Sequence, residues 1–429
     1  MHLLRTRRFL PLFITQFLGS FNNNMFKNAL VMYIAFRAAG DAPGQAQLLV
    51  TLAGALFIAP FFLFSSVAGQ LADKFDRARI ARAAKLWELL VVAVAAFGFY
   101  LGNVYFLLLV LFIMGMQATL FGPVKYALLP QHLRYDELIA GNSYIEAGTF
   151  LAILMGTIAG GVLILTPQGD HFIALSMIAV GLAGYATSRA IPPAPAPSPQ
   201  IRIGRNILRD SWRMVASERA VPSVYRAILA ISWFWLVGAT FLSQFPAFTK
   251  EVLRAQEGVV TLFLTMFSVG IAIGSLLCNR LLKGEITTRF VPHAAFGISL
   301  FTLDFYLASS AVADAPDALP MATLSWLAEP AHWRLLIDLL GVAICAGLFI
   351  VPLYAILQHD SDPACRARTI ASNNIVNAIF MVASAIAVIG LLAAGFTTPQ
   401  IFLALAVGNT GVGVWLWRVE KRLRAKPPV

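Results

Sequence analysis

The chain has 429 residues, of which 59% are hydrophobic and 12% charged, and its mean hydropathy is +0.76, whereas about a quarter of the residues of a soluble domain carry charge. An ordinary soluble domain is thereby excluded. The net charge of +11 does not indicate a nucleic-acid binder either, because most lysines and arginines gather in alternate gaps between apolar runs, the asymmetry of a membrane protein.

Runs of about 20 apolar residues, each long enough to cross a hydrocarbon core of roughly 30 Å, predict about twelve spans. In the first half they are Phe9 to Phe36, Gln47 to Leu71, Lys85 to Leu101, Val104 to Leu129, Ile139 to Leu165 and Phe172 to Ser188. In the second they are Ala227 to Phe248, Val259 to Leu281, Val291 to Val312, Trp333 to Leu357, Thr369 to Ala394 and Gln400 to Trp417. The first is too long for a cleavable signal peptide and is followed by further spans rather than a soluble domain. The basic gaps place both termini in the cytoplasm, and Asp314, Asp317 and Glu329 then fall in an external loop. Cys278 and Cys345 lie within spans and Cys365 between two, which predicts free thiols and no disulfide framework.

Between the sixth and seventh spans runs Ile191-Pro-Pro-Ala-Pro-Ala-Pro-Ser-Pro199, followed by a stretch with Arg202, Arg205, Arg209, Arg213 and Arg219. The prolines predict a stiff extended linker, and the basic part a short helix on the anionic inner leaflet. The chain therefore divides into a bundle over 1–190, a cytoplasmic linker over 191–226 and a second bundle over 227–429. The halves also share a pattern. Phe121-Gly-Pro-Val-Lys-Tyr-Ala-Leu-Leu-Pro-Gln-His132 is matched by Phe349-Ile-Val-Pro-Leu-Tyr-Ala-Ile-Leu-Gln-His359, and the Asn142 region by Asn373 and Asn374. Such an internal repeat predicts an all-α membrane protein of twelve transmembrane helices in two six-helix bundles, with substrate held between halves that rock.

The loop Gly69-Gln-Leu-Ala-Asp-Lys-Phe-Asp-Arg-Ala-Arg79 resembles the signature of the major facilitator superfamily, departing from it at Asp76, where a Gly is usual. Asp73 is placed to meet the positive N-terminal end of the eleventh helix, and Arg77 a carboxylate or carbonyls nearby. Both are candidate gating residues.

The first span carries Gly19-Ser-Phe-Asn-Asn-Asn-Met-Phe-Lys-Asn-Ala-Leu30. Together with Gly122-Pro-Val-Lys-Tyr126, Leu129-Pro-Gln-His132 and Arg366-Ala-Arg-Thr-Ile-Ala-Ser-Asn-Asn374, it resembles the lysophospholipid transporter family, over nearly the whole chain. That resemblance implies movement of lysophosphatidylethanolamine and related lysolipids from the outer to the inner leaflet of a bacterial inner membrane. It also implies a separate acyltransferase that restores the second chain. In the family pattern an Asp stands where this chain has Asn23. No cofactor and no metal are expected, and a monomer is.

Gln16, Ser20, Asn23 or Asn24, and Lys27 recur at steps of three or four and form a polar stripe on one helix. A lysine at the bilayer centre costs about 3 kcal/mol, so Lys27 does not face lipid. On one reading it faces a cavity and attracts the substrate phosphate, with Asn22, Asn23, Asn24 and Asn28 binding the head group. On the other the stripe is polar glue between helices and the lysine snorkels outward. Lys85 and Glu88 are spaced for an ion pair. Lys125 is a candidate gating residue that pairs with Glu146, itself a candidate binding residue with Asn373, Asn374 and Asn377; for the three asparagines interhelical hydrogen bonding is the stronger expectation. Gln244 and the lone Asp304 and Asp338 are weaker cavity candidates.

An enzyme is not expected, since His132-Leu-Arg-Tyr-Asp136 is one residue short of an acyltransferase motif and no Walker-type motif occurs. The competing function is a proton-coupled drug or small-solute antiporter of the same fold, with Glu146 or Asp304 as its titrating carboxylate.

Overall fold

The computed structural model describes residues 2–38, 44–204, 206–312 and 320–424; Arg205, Asp314 and Asp317 lie outside them. Twelve long helices occur among the described residues: α1 (Leu10–Tyr33), α2 (Gln45–Lys74), α3 (Arg77–Leu101), α4 (Val104–His132), α5 (Leu138–Ile164), α6 (Gly169–Ser188), α8 (Pro222–Ala247), α9 (Glu257–Leu282), α10 (Val291–Ala311), α12 (Pro330–Asp360), α13 (Arg366–Ala393) and α14 (Thr398–Arg424). Two short helices, α7 (Ile207–Ser217) and α11 (Thr323–Ala328), lie in connections. Eleven of the long helices are apolar enough to span a membrane. The other is α1, whose asparagines and lysine lower its hydropathy while its length remains sufficient.

Helices run past the apolar runs that announced them. The third begins at Arg77 rather than Lys85, because Asp76 caps it by accepting from the Arg79 amide at 2.9 Å. The basic residues that read as loop form its first two turns. Asp76 holds φ −57°, so the turn needs no glycine, and its second oxygen accepts from the Ala194 amide at 3.1 Å. The departure from the signature is thus a working cap.

Both α1 and α8, the first helices of the two halves, end in a five-residue π-turn, Ile34–Ala38 and Phe248–Val252.

The described residues fall into two compact units. One comprises Met1–Gly141, Leu151–Ile228 and Leu357–Ala378; the other Asn142–Phe150, Leu229–Ile356 and Ile379–Val429. The core of the first packs Met25, Phe26 and Leu30 of α1 against Val92 and Phe99 of α3, Leu107, Leu111 and Met114 of α4, and Met177 of α6. Residues 151–164 of α5 lie close to α1: a side chain on Gly156 or Gly160 would meet the Phe21 or Met25 carbonyl at 2.3 Å, so only glycine permits this approach.

The core of the second unit is aromatic. Phe241 lies 5.0 Å from Phe402, Phe248 5.1 Å from Phe305 and Phe245 5.6 Å from Phe263, centroid to centroid. Asn409 of α14 bridges this unit's helices by donating to the Ala295 carbonyl at 2.7 Å and accepting from Trp233 at 2.9 Å.

Candidate functional site

Three polar assemblies within the first unit bear on function. At the end where charged connections cluster, here the basic end, Asp73 closes α2 fully buried. It accepts from the amides of Ala367 (3.1 Å) and Arg368 (3.2 Å), from Arg368 Nε (3.1 Å) and from Arg77 (2.7 Å). A carboxylate on the free amides of a helix N-terminus satisfies donors with no partner inside the helix and meets the positive end of its dipole. Arg77 also donates to the carbonyls of Ala72 (3.1 Å) and Ala127 (3.3 Å), joining α2, α3 and α4.

The proline-rich connection is laced onto the same hub. Ser198 donates its amide to the Asp73 carbonyl (2.9 Å) and its hydroxyl to that of Ala364 (2.7 Å). The Ala194 carbonyl accepts from the Arg77 amide (3.0 Å), and Gln131 and Arg82 donate to the carbonyls of Pro195 (3.2 Å) and Ile191 (2.9 Å).

The second assembly is the α1 stripe, whose members divide. Asn22, fully buried, donates to the Met177 carbonyl of α6 at 3.2 Å, and Asn28 to the Thr157 carbonyl of α5 at 2.6 Å. Asn24 donates to the Ser20 carbonyl of its own helix at 2.8 Å. Asn22 and Asn23 each keep a buried side-chain oxygen with no partner among the described residues; they differ in that Asn22 spends its amide donor on α6. Lys27, one turn on, is half-buried. Its ammonium lies 5.7 Å from the centre of the Phe57 ring of α2, with no hydrogen bond or ion pair among the described residues.

The third assembly is sealed. Lys85 Nζ lies 2.6 Å from Glu88 Oε2, with both side chains 1% exposed. Gln117 of α4 donates to that oxygen at 3.3 Å and to the Ala84 carbonyl at 3.1 Å, and the ammonium sits 4.8 Å over the Phe121 ring. Gly19 of α1 makes room for it, since a side chain there would come within 2.0 Å of Lys85 Nζ. The i, i+3 spacing announced the ion pair. Gln117, 29 residues away, and Gly19 carried no signal.

The other candidates scatter. On α13, Asn373 is fully buried and neither polar atom of its amide has a partner among the described residues, so the expected interhelical hydrogen bond is not made there. Asn374 lies against Gly122 of α4, and Asn377 is buried. Lys125 on α4 has its ammonium 4.5 Å from the centre of the Tyr126 ring, and Glu146 is buried on α5. Gln244 donates to Ser243 at 3.2 Å. Asp304 is not lone: Arg334 of α12 grips it through two nitrogens, at 2.5 and 3.0 Å. Asp338, one turn beyond Arg334, is buried, and one of its oxygens has no partner among the described residues. No group of three or more His, Cys, Asp or Glu suited to a metal occurs among the described residues.

The family model for the Major Facilitator Superfamily matches residues 12–385. The chain belongs to that superfamily. Among curated proteins it is 26% identical to the lysophospholipid transporter LplT of Enterobacter sp. (strain 638) over 432 residues, covering 94% of each chain. To LplT of Escherichia coli O1:K1 / APEC it is 25% identical, again over 94% of each. Solved structures share the fold. The human organic anion transporter MFSD10 superposes with a TM-score of 0.71 at 13% identity, covering 96% of this chain and 98% of that one. FucP in its outward conformation gives 0.67 at 17%, covering 97% and 98%. As a major facilitator the chain is a multi-pass membrane transporter rather than an enzyme, and the Asp73–Arg77 hub occupies the loop that carries the superfamily signature.

Proposed function

We propose that the chain is a lysophospholipid transporter. It moves lysophosphatidylethanolamine and related lysolipids from the outer to the inner leaflet of a bacterial inner membrane by alternating access of its two six-helix halves. A separate acyltransferase then restores the second acyl chain. The basic end and both termini are cytoplasmic on this reading, in keeping with the charge asymmetry, and the monomer is the transporting unit.

The names of the relatives supply the substrate class, and Lys27 is the observation that carries it to this chain. Ionisable residues inside membrane spans are costly and mark substrate paths by default. A lysine with no hydrogen bond or ion pair among the described residues has a site for an anion, and a lysolipid phosphate would supply one. Asn22 and Asn28 have their amide donors committed to neighbouring helices, which leaves Asn23 beside Lys27 for the head group. Asn24, Glu146, Asn373, Asn374 and Asn377 are proposed as further head-group contacts. Asp73 and Arg77 are the gating clamp, with Lys125 as a further gating residue.

The test is transport by the purified protein in liposomes. Labelled lysophosphatidylethanolamine should cross faster than the diacyl lipid. Equal rates for the two, or none above protein-free liposomes, would sink the reading. Movement of a cationic drug driven by a proton gradient, without lysolipid transport, would establish the antiporter instead.

A further inference from the structure

We infer that α7 is a binding surface for anionic phospholipid, seated in the leaflet at the basic end. Its eleven residues present three faces. Ile207, Asp210, Ser211 and Met214 turn toward the protein, with Ser211 buried. Leu208 and Trp212, one turn apart, are 64% and 73% exposed, and Val215 continues their stripe. Arg209 and Arg213 are exposed one residue behind each, about 100° round the helix. A large aromatic and a leucine left open on one side, with guanidinium groups along their border, is the pattern of a helix lying in a membrane interface.

Two anchors fix the depth of this helix. Before it, the Gly204 amide donates to Gln70 Oε1 of α2 at 2.7 Å. After it, Glu218 accepts from Ser372 of α13 at 3.1 Å. Gln70 lies four residues inside the end of α2, about 6 Å, and Ser372 six residues inside the start of α13, about 9 Å. The 30 residues of α2 span about 45 Å and so overhang a hydrocarbon core of about 30 Å by roughly 7 Å at each end. Both ends of α7 are therefore held near the boundary of hydrocarbon and head groups. Trp212 and Leu208 meet the acyl region there, and Arg209 and Arg213 meet lipid phosphates. Exposed Arg202 and Arg219 flank the helix and add to its charge. That excess of positive charge selects lipids of net negative charge over zwitterionic ones, by up to about fivefold per arginine.

The experiment uses the full chain in nanodiscs of phosphatidylcholine, with or without phosphatidylglycerol. Nitroxides are placed by Leu208→Cys, Trp212→Cys and Ser217→Cys in a background with Cys278, Cys345 and Cys365 replaced by serine. Labels at 208 and 212 should collide with oxygen and escape a water-soluble nickel chelate, whereas the label at 217 should meet the chelate. Arg209→Gln combined with Arg213→Gln should lower the phosphatidylglycerol retained relative to phosphatidylcholine severalfold. Open access of the chelate to position 212 in both bilayers would overturn the proposal. So would shielding of 212 from both reagents, the signature of a protein partner or a second copy, or unchanged lipid selection in the double variant.

Discussion

Lys27 and Lys85 are both lysines inside the first unit's membrane helices, and they are treated in opposite ways. Lys85 has a carboxylate at 2.6 Å, a ring beneath it, a glutamine donating to the same carboxylate oxygen, and a glycine on α1 to admit it. Lys27 has the Phe57 ring at 5.7 Å. A paired and enclosed charge is held by the fold, whereas Lys27, half-buried and without an anion among the described residues, is the one proposed to meet the substrate. The asparagines beside Lys27 repeat the division within three residues: Asn22 is tied to α6, and Asn23 is not.

The largest effect that tests this contrast comes from Glu88→Ala. Removing one partner of a buried pair leaves the other charge uncompensated and costs about 3–5 kcal/mol. The thermal midpoint of the detergent-solubilised protein should therefore fall by many degrees, and Lys85→Ala should cost a similar amount. An unmoved midpoint would show that the pair is not structural and would erase the difference between the two lysines.

Next comes Lys27→Ala. Loss of an unpaired lysine should leave the thermal midpoint unchanged or raised, while lysolipid transport drops by roughly tenfold, about 1.4 kcal/mol. The reverse outcome, a lower midpoint with transport intact, would make Lys27 the structural residue of the two.

How far each lysine could be read from the sequence follows from where its partners lie. Helix number and the Asp73 contact with the eleventh span were legible, because hydropathy and a local motif encode them within a few residues. The Lys85–Glu88 pair was legible for the same reason. Gln117, Gly19, Arg334 and Ser372 were not, since each joins its partner across tens or hundreds of residues with no spacing rule to announce it. The stripe on α1 was visible as a pattern, but helical periodicity alone does not tell Asn22, which holds α6, from Asn23. The start of α3 is not legible in the sequence, because arginines in a first turn resemble a loop until the cap at Asp76 is seen.

Glu218 extends the contrast to an acidic group outside the spans. Burial raises its pKa above the ordinary glutamate value, against hydrogen bonds from Ser372 and Thr369 and the charge of Arg368. A carboxyl whose folded pKa is raised contributes stability that is complete below the unfolded value of about 4.3 and is lost as pH rises through the folded one. The thermal midpoint should decline across that window in the parent chain, and Glu218→Gln should flatten the decline. A Glu218→Gln chain with the parent's pH profile would show that the group does not titrate against folding.

The smallest effect is the most specific to the contrast. Asn23 stands one helical turn before Lys27, where a carboxylate would give Lys27 the kind of partner that Lys85 already has. Opposite charges at i, i+4 are worth about 0.2–0.5 kcal/mol, roughly a factor of two in a rate or an equilibrium. Asn23→Asp supplies that charge and also a counter-charge for the ammonium of an ethanolamine head group. It should raise lysophosphatidylethanolamine transport about twofold when Lys27 is present. With Lys27→Ala the carboxylate stands alone near the bilayer centre, so the same substitution should give no gain, or a loss. The four combinations of Asn or Asp at 23 with Lys or Ala at 27 form a closed cycle, and the interaction energy is the failure of the single effects to add. Additive effects on the logarithm of the rate would mean that the two positions act independently. Lys27 would then serve the substrate without help from position 23.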